Sequence, residues 1–255
     1  MKRIIILAII SIFASGIAKA QEQTIEPTKN DRESVRTTMS LSGGMQYIDT
    51  KGINNDLANA GYGYFSNINY LLGIGVDVTI YDRWIIGAEW DKNNNTTSTI
   101  NPNLSMKAEM SGSRTMIRFG YNVVHNNFFN LFPEIGFGGN LIKFSTKSLT
   151  PDSIATNFPQ ILQSNDGNMA NYTNSFANIG LGIDFTISDS GNAQSGCRVG
   201  IRAGYQIAFS HSWSNNSTNI DGPKISPNMF YIKLTVGFTT KYNHKNDNPN
   251  TADTL

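Results

Sequence analysis

The segment Ile68-Asn69-Tyr70-Leu71-Leu72-Gly73-Ile74-Gly75-Val76-Asp77-Val78-Thr79-Ile80-Tyr81 decides the fold. Its even positions, Ile68 through Ile80, are all apolar. Of its odd positions from Asn69 to Thr79, all but Leu71 are small or polar. A period of two over this length means a β-strand with one greasy face and one polar or crowded face. The β-branched residues and the two glycines weigh against a helix. About ten alternating residues is what a tilted strand needs to cross a bilayer.

The unit recurs along the chain. A first strand, Arg36–Tyr47, puts Met39, Leu41, Met45 and Tyr47 on its apolar face. After the opening stretch come Trp84–Asp91, Met106–Val123, Leu131–Phe144, Tyr172–Ser188, Cys197–Ser210 and Pro227–Tyr242, which makes eight strands. The upper half of Met106–Val123 is polar and is expected to stand clear of a membrane. The segments between strands alternate long and short: Ile48–Asn67, Lys92–Asn103, Ser145–Asn171 and His211–Ser226 are long and rich in Gly, Asn, Ser and Thr. An up-and-down sheet built this way collects its long loops at one end. An even strand count then puts both termini at the other. That is the layout of an outer-membrane barrel with long loops outside and short turns in the periplasm.

The N-terminus agrees. Lys2 and Arg3 precede the apolar run Ile4–Ile12, and Ala18-Lys19-Ala20 fits a small-x-small cleavage site. We therefore expect a signal peptide over residues 1–20, a polar segment over 21–35, a barrel over 36–242 and a polar tail over 243–255. An uncleaved membrane anchor is disfavoured because the apolar run is short. The chain carries 20 Lys and Arg against 19 Asp and Glu, and loss of Lys2, Arg3 and Lys19 leaves 17 against 19, a formal charge of −2. This excludes the basic balance of a nucleic-acid binder. A lone cysteine, Cys197, excludes an intrachain disulfide. Its parity faces it outward, where it serves as a small hydrophobe.

A soluble eight-stranded barrel also alternates, with its apolar face inward and a Lys- and Glu-rich face in water. Here the second face is Gly, Asn, Ser and Thr with a few charges, which suits the crowded inside of a narrow barrel. The other face is Leu, Ile, Val and Phe almost without a break, as lipid demands. Aromatic residues mark the two interfaces. Tyr81, Trp84, Phe128, Phe129, Phe238 and Tyr242 fall near the short-turn end, and Tyr47, Trp90 and Trp213 near the loop end.

The inward face holds Asp77, Glu89, Arg118, Glu134, Asp184, Arg198, Arg202 and Lys233, four acids and four bases. Buried charges must be paired. Arg118 with Glu134, and Asp184 with Arg198, lie on neighbouring strands and are expected to pair, leaving Asp77 and Glu89 to share the remaining cations. An eight-stranded barrel is only just wide enough for its own side chains, so the network reads as a structural plug. A narrow ion path along the charge ladder is the competing reading. No set of residues calls for a metal or a cofactor. His211, in Ser210-His211-Ser212-Trp213-Ser214, stands upstream of Asp221 and could take part in a nucleophile-base-acid set. It resembles the His-x-Ser segment of the outer-membrane lipid A deacylases. The spacing departs from that pattern, since the serines stand one and three residues after His211 and Trp213 stands between them. We read it as a loop histidine, and the chain as no enzyme.

Four segments repeat an apolar-Gly step with an inward charge: Leu72–Asp77, Pro133–Asn140, Ile179–Asp184 and Arg198–Tyr205. In these the chain resembles the OmpA/OmpX-like family of eight-stranded outer-membrane barrels. It departs from many members in carrying about a dozen residues beyond the final aromatic position, Tyr242. The resemblance implies a structural or surface-interaction role, or a small pore. The partners it implies are outer-membrane lipid and lipopolysaccharide, the barrel-assembly machinery, and an extracellular ligand met by the loops.

Overall fold

The computed structural model describes residues 34–96, 107–125, 129–147, 169–188, 195–215, 218–223 and 228–243. The expected signal peptide, most of the N-terminal segment and the polar tail lie outside these residues. Eight long strands carry the fold: β1 (Ser34–Tyr47), β2 (Ile68–Ile80), β3 (Trp84–Thr96), β4 (Lys107–Tyr121), β6 (Phe129–Lys147), β7 (Met169–Ser188), β8 (Ser195–Asn215) and β10 (Met229–Asn243). Two short strands, β5 (Val124–His125) and β9 (Thr218–Ile220), pair back onto β6 and β8. Every pairing is antiparallel between sequential long strands, and β10 closes the sheet by pairing with both β8 and β1. Closure leaves no free edge among the eight long strands, so each of them has a partner on both sides. No helix among the described residues is long and apolar enough to cross a membrane; the chain crosses with strands.

The period-two pattern maps onto this sheet directly. Along β2 the even positions from Ile68 to Val76 face outward and exposed, while Asn69, Leu71, Gly73, Asp77 and Thr79 are buried inside. The outward face continues around the barrel through Leu41, Ile86, Ile117, Ile135, Leu181, Ile201 and Leu234, all exposed. An unbroken apolar belt facing outward, around a polar interior, is stable in lipid and not in water.

The connection from β2 to β3 is three residues long, Tyr81 to Arg83. Tyr81 and Asp82 both adopt φ of 54°, and the Arg83 amide donates to the Ile80 carbonyl at 3.1 Å. Positive φ at both central positions is what the twist of a tight hairpin requires. The turn turns Asp82 back to the barrel mouth, where its carboxylate meets Arg36 of β1 at 3.1 Å and Lys241 of β10 at 3.0 Å. The first and last strands are thereby tied to the same turn at the seam where the sheet closes.

At the other end, two long segments differ from the sequence reading. Ile48–Asn67 is not an irregular loop, because it contains helix α1 (Lys51–Asn59). Its residues Ile53 and Leu57 lie four apart, on one face, and both are buried. Period-3.6 spacing over so short a helix is easily lost among polar neighbours. His211–Ser226 is likewise not all loop: β8 continues to Asn215 and turns into β9. In the polar upper half of β4, Ala108, Met110, Arg114 and Met116 are buried on the inner face.

Candidate functional site

The lumen is the candidate site, and its composition changes in order along three of the strands, β6, β7 and β8. From the short-turn end upward, inward residues run from charged to carboxamide to apolar. On β7 the order is Asp184, Asn178, Tyr172; on β8 it is Arg202, Gln206, Trp213; on β6 it is Glu134, Asn140, Phe144. All of these are buried.

The charged layer contains all eight residues singled out from the sequence, each buried. Arg118 donates to Glu134 at 2.9 Å and to Asp77 at 2.5 Å. Arg198 donates to Asp184 at 3.2 Å. Arg202 of β8 reaches across the lumen to Asp77 of β2 at 3.0 Å, and Lys233 of β10 reaches Glu89 of β3 at 2.6 Å. In the closed sheet β1 stands between β10 and β2, so these are transverse braces and not neighbours in one ladder.

Two further residues belong to the network: Arg114 and Asp91, each 0% exposed. Arg114 donates to Glu89 at 2.9 Å, and its Nε donates to Asp91 at 2.8 Å. Its guanidinium lies over the Tyr231 ring, 4.4 Å from the centroid. Ser42 of β1 donates to the second oxygen of Asp91 at 3.2 Å. The signal for both was present. Arg114 shares the parity of Arg118, and Asp91 that of Glu89; the polar character of their surroundings concealed it. The layer then holds five acids and five bases and is formally neutral: Asp77, Glu89, Asp91, Glu134 and Asp184 against Arg114, Arg118, Arg198, Arg202 and Lys233.

Glycines make the room. Across the ladders Gly73 pairs with Asp91, Gly87 with Asp77, and Gly200 with Asp184. In each case a side chain on the glycine would collide with the opposing carboxylate. At these three positions the apolar-Gly steps are complementary across strands, the inward glycine standing where a neighbour's carboxylate folds over it.

Above the charges lies the cap. Ile48, Ile53, Leu57, Tyr62 and Phe65 from the first long segment pack against Met110, Ile142, Phe144, Tyr172, Trp213 and Met229 from the barrel wall. Phe65 and Phe144 meet edge to face with centroids 5.8 Å apart.

The aromatic girdle assignments divide. Tyr47, Tyr81, Trp84, Trp90 and Phe238 are exposed on the outer face. Trp84 stacks edge to face on Tyr121 at 4.9 Å, and Phe129 packs on Phe185 at 5.4 Å. The side chains of Phe128 and Tyr242 lie outside the described residues. Trp213 requires correction. It is 5% exposed, packs 5.2 Å from Tyr172 and donates its indole N–H to the Pro223 carbonyl at 3.0 Å. The cause is a β-bulge. Ser175 and Phe176 pair with Ser210 and Ala208, so Phe209 is an extra residue in β8. One extra residue reverses the parity of all that follows, and Trp213, expected outward, turns into the cap.

His211 lies in β8 opposite Asn174, exposed, with its ring 6.2 Å from that of Tyr172. The Ser212 hydroxyl is engaged with Thr173 at 2.9 Å. These contacts bring neither serine onto the imidazole as a nucleophile.

No family model and no curated protein matches the chain. Among solved structures it is similar to Ail, the attachment invasion locus protein of Yersinia pestis, at 8% identity and TM-score 0.41, over 83% of this chain and 99% of that one. It is also similar to the outer membrane protease OmpT of Escherichia coli, at 10% identity and TM-score 0.41, over 85% and 99%. Neisserial surface protein A matches at 14% identity and TM-score 0.33, over 81% and 97%. At such identities the likeness concerns fold alone. A closed sheet, apolar without and charged within, has one solvent that suits it, and the chain is accordingly a small membrane-spanning β-barrel of eight long strands.

Proposed function

We propose that the chain is a non-conducting surface barrel, a rigid support that presents its long loops outside the cell. One observation carries this reading: the lumen is obstructed twice over, by transverse ion pairs and by the apolar cap above them. Arg114 and Arg118, the largest fully buried side chains among the described residues, are 0% and 1% exposed, and each is held by two or more carboxylates. A conducting path needs sites that an ion can enter and leave, and these side chains are locked on one another. On this reading, contact with outer-leaflet lipid and lipopolysaccharide falls to the belt and its rim, and any extracellular ligand is met by the loops.

The alternative, a narrow channel, draws on the charged groups that continue from Asp82 and Arg36 at the short-turn mouth up to Lys233. The third reading, lipid modification at the rim, draws no support from the placement of His211 and Ser212. Single-channel recording of the refolded mature protein in a planar bilayer tests the choice. A silent membrane with protein shown folded by its heat-dependent gel mobility is the expected result. Steady openings that change in Arg202→Ala or Lys233→Ala would replace the plug with an ion path.

A further inference from the structure

Between the ion pairs and the cap lies a layer of carboxamides. Gln46, Asn69, Asn93, Asn140, Asn178 and Gln206 point inward from six of the eight long strands, and all are buried. Part of the layer is satisfied internally. Asn93 donates to Gln46 at 3.4 Å, Asn140 to Asn174 at 2.9 Å, and Asn178 to the Tyr231 hydroxyl at 3.2 Å. Asn69 and Gln206 differ. They are 1% and 0% exposed, and neither their amide nitrogens nor their amide oxygens have a protein partner. The second polar atoms of Asn140 and Asn178 are in the same condition.

Buried amides are almost always hydrogen-bonded, and one left dry costs about 1–3 kcal/mol. A carboxamide offers two donors and an oxygen with two lone pairs. Donors and acceptors without net charge call for a small uncharged partner that is itself both, and a water with two to four polar neighbours is stable in such a place. A metal ion or an organic anion would find no countercharge in this layer.

What covers the layer is a self-contained unit. The segment Ile48–Asn67 is closed at its base by the Ile48 amide on the Asn67 carbonyl at 2.8 Å and by the Thr50 hydroxyl on the Asn67 side chain at 2.6 Å. Inside it, Asn54 donates to the Phe65 carbonyl at 3.0 Å and accepts from the Phe65 amide at 2.8 Å. These bonds would survive its departure from the barrel. Its hold on the wall combines apolar packing through Ile53, Leu57 and Phe65 with two polar ties, Asn95 of β3 donating to the Ser66 carbonyl at 2.7 Å and a side-chain hydrogen bond between Tyr62 and Thr146 of β6.

We propose that the carboxamide layer is a hydrated chamber, with ordered water bound at Asn69 and Gln206, and that Ile48–Asn67 is the lid closing it from the long-loop side. The inference concerns the lumen above the ion pairs and is independent of what the loops bind.

Two measurements on the full mature protein in micelles test it. In the first, magnetisation transfer from water to the side-chain amide protons of Asn69 and Gln206 is recorded by NMR. Cross-peaks of a long-lived bound water are expected, and their absence from both residues overturns the hydrated chamber. In the second, Asn69→Cys in a Cys197→Ser background is labelled with a small uncharged thiol reagent. Labelling is expected to be slow with the native lid and at least tenfold faster in Ile53→Ser/Leu57→Ser. Equal rates overturn the lid. Heat-dependent gel mobility establishes folding, and replacement of residues 51–64 by a Gly-Ser linker serves if the double variant does not fold.

Discussion

Gly87 of β3 stands directly opposite Asp77 of β2, and the Asp77 carboxylate occupies the space that a side chain at position 87 would need. Arg118 closes the same space from the next strand, with its Nε 3.0 Å from where a Cβ would lie. The glycine is thus part of the ion-pair network although it carries no charge.

Gly87→Ala is therefore expected to destabilise the barrel by roughly 1–3 kcal/mol, the usual cost of overpacking a tight interior. Gly43→Ala is the control, since a Cβ there has nothing within 4 Å. Urea unfolding followed by gel mobility would separate the two, and equal midpoints would show that the network yields to the extra methyl group.

Removal of Arg114 should cost more. Arg114→Met leaves Asp91 with Lys233 at 3.6 Å, and Glu89 with Lys233 at 2.6 Å and the more distant Arg118 at 3.9 Å. Breaking a buried pair by deleting one partner costs about 3–5 kcal/mol. The double variant Arg114→Met/Asp91→Leu removes one charge of each sign and should recover part of that loss. A double-mutant cycle in urea reads the coupling, and additive losses would mean that the two side chains do not support each other.

The three tryptophans should report three environments. Trp84 and Trp90 are 58% and 45% exposed on the lipid face, whereas Trp213 is 5% exposed inside the cap. In single-tryptophan variants reconstituted with brominated lipid, strong quenching is expected for Trp84 and Trp90 and little for Trp213. Strong quenching of Trp213 would place it back in the girdle and remove the bulge at Phe209.

The short-turn mouth should be sensitive to acid. His125, in the connection outside the apolar belt, has its pKa lowered chiefly by burial; its contact with Asn130, at 2.5 Å, and nearby Asp82 oppose this, and Arg36 and Lys241 add to it. A base whose folded pKa is depressed binds its proton more readily when unfolded. Stability from this group is therefore present above its unfolded pKa, about 6.5, and falls as pH drops below it. Unfolding midpoints of the native chain between pH 8 and 5 should decline more than those of His125→Asn. Parallel curves would show that His125 titrates alike in both states.

The lid and the ion pairs show how far a linear pattern reaches. Alternation at Ile68–Ile80 specifies which residues face lipid, because the pleat puts neighbours on opposite faces whatever the strand pairs with. The eight inward charges were legible for the same reason. Arg114 and Asp91 obey the same parity and were obscured only by polar neighbours. Helix α1 left a fainter trace, two apolar residues four apart in a polar segment.

What the sequence by itself determined, then, was the face of the strand residues outside the stretch of β8 beyond its bulge, the number of long strands and the membrane-spanning architecture, all consequences of a strictly local period. The tertiary structure alone decided the register: that Gly87 meets Asp77, that Arg202 crosses to Asp77 from the far side of β1, and that an extra residue at Phe209 turns Trp213 inward. Register depends on closing all eight ladders at once around one lumen. It is a global condition, and no single strand carries it.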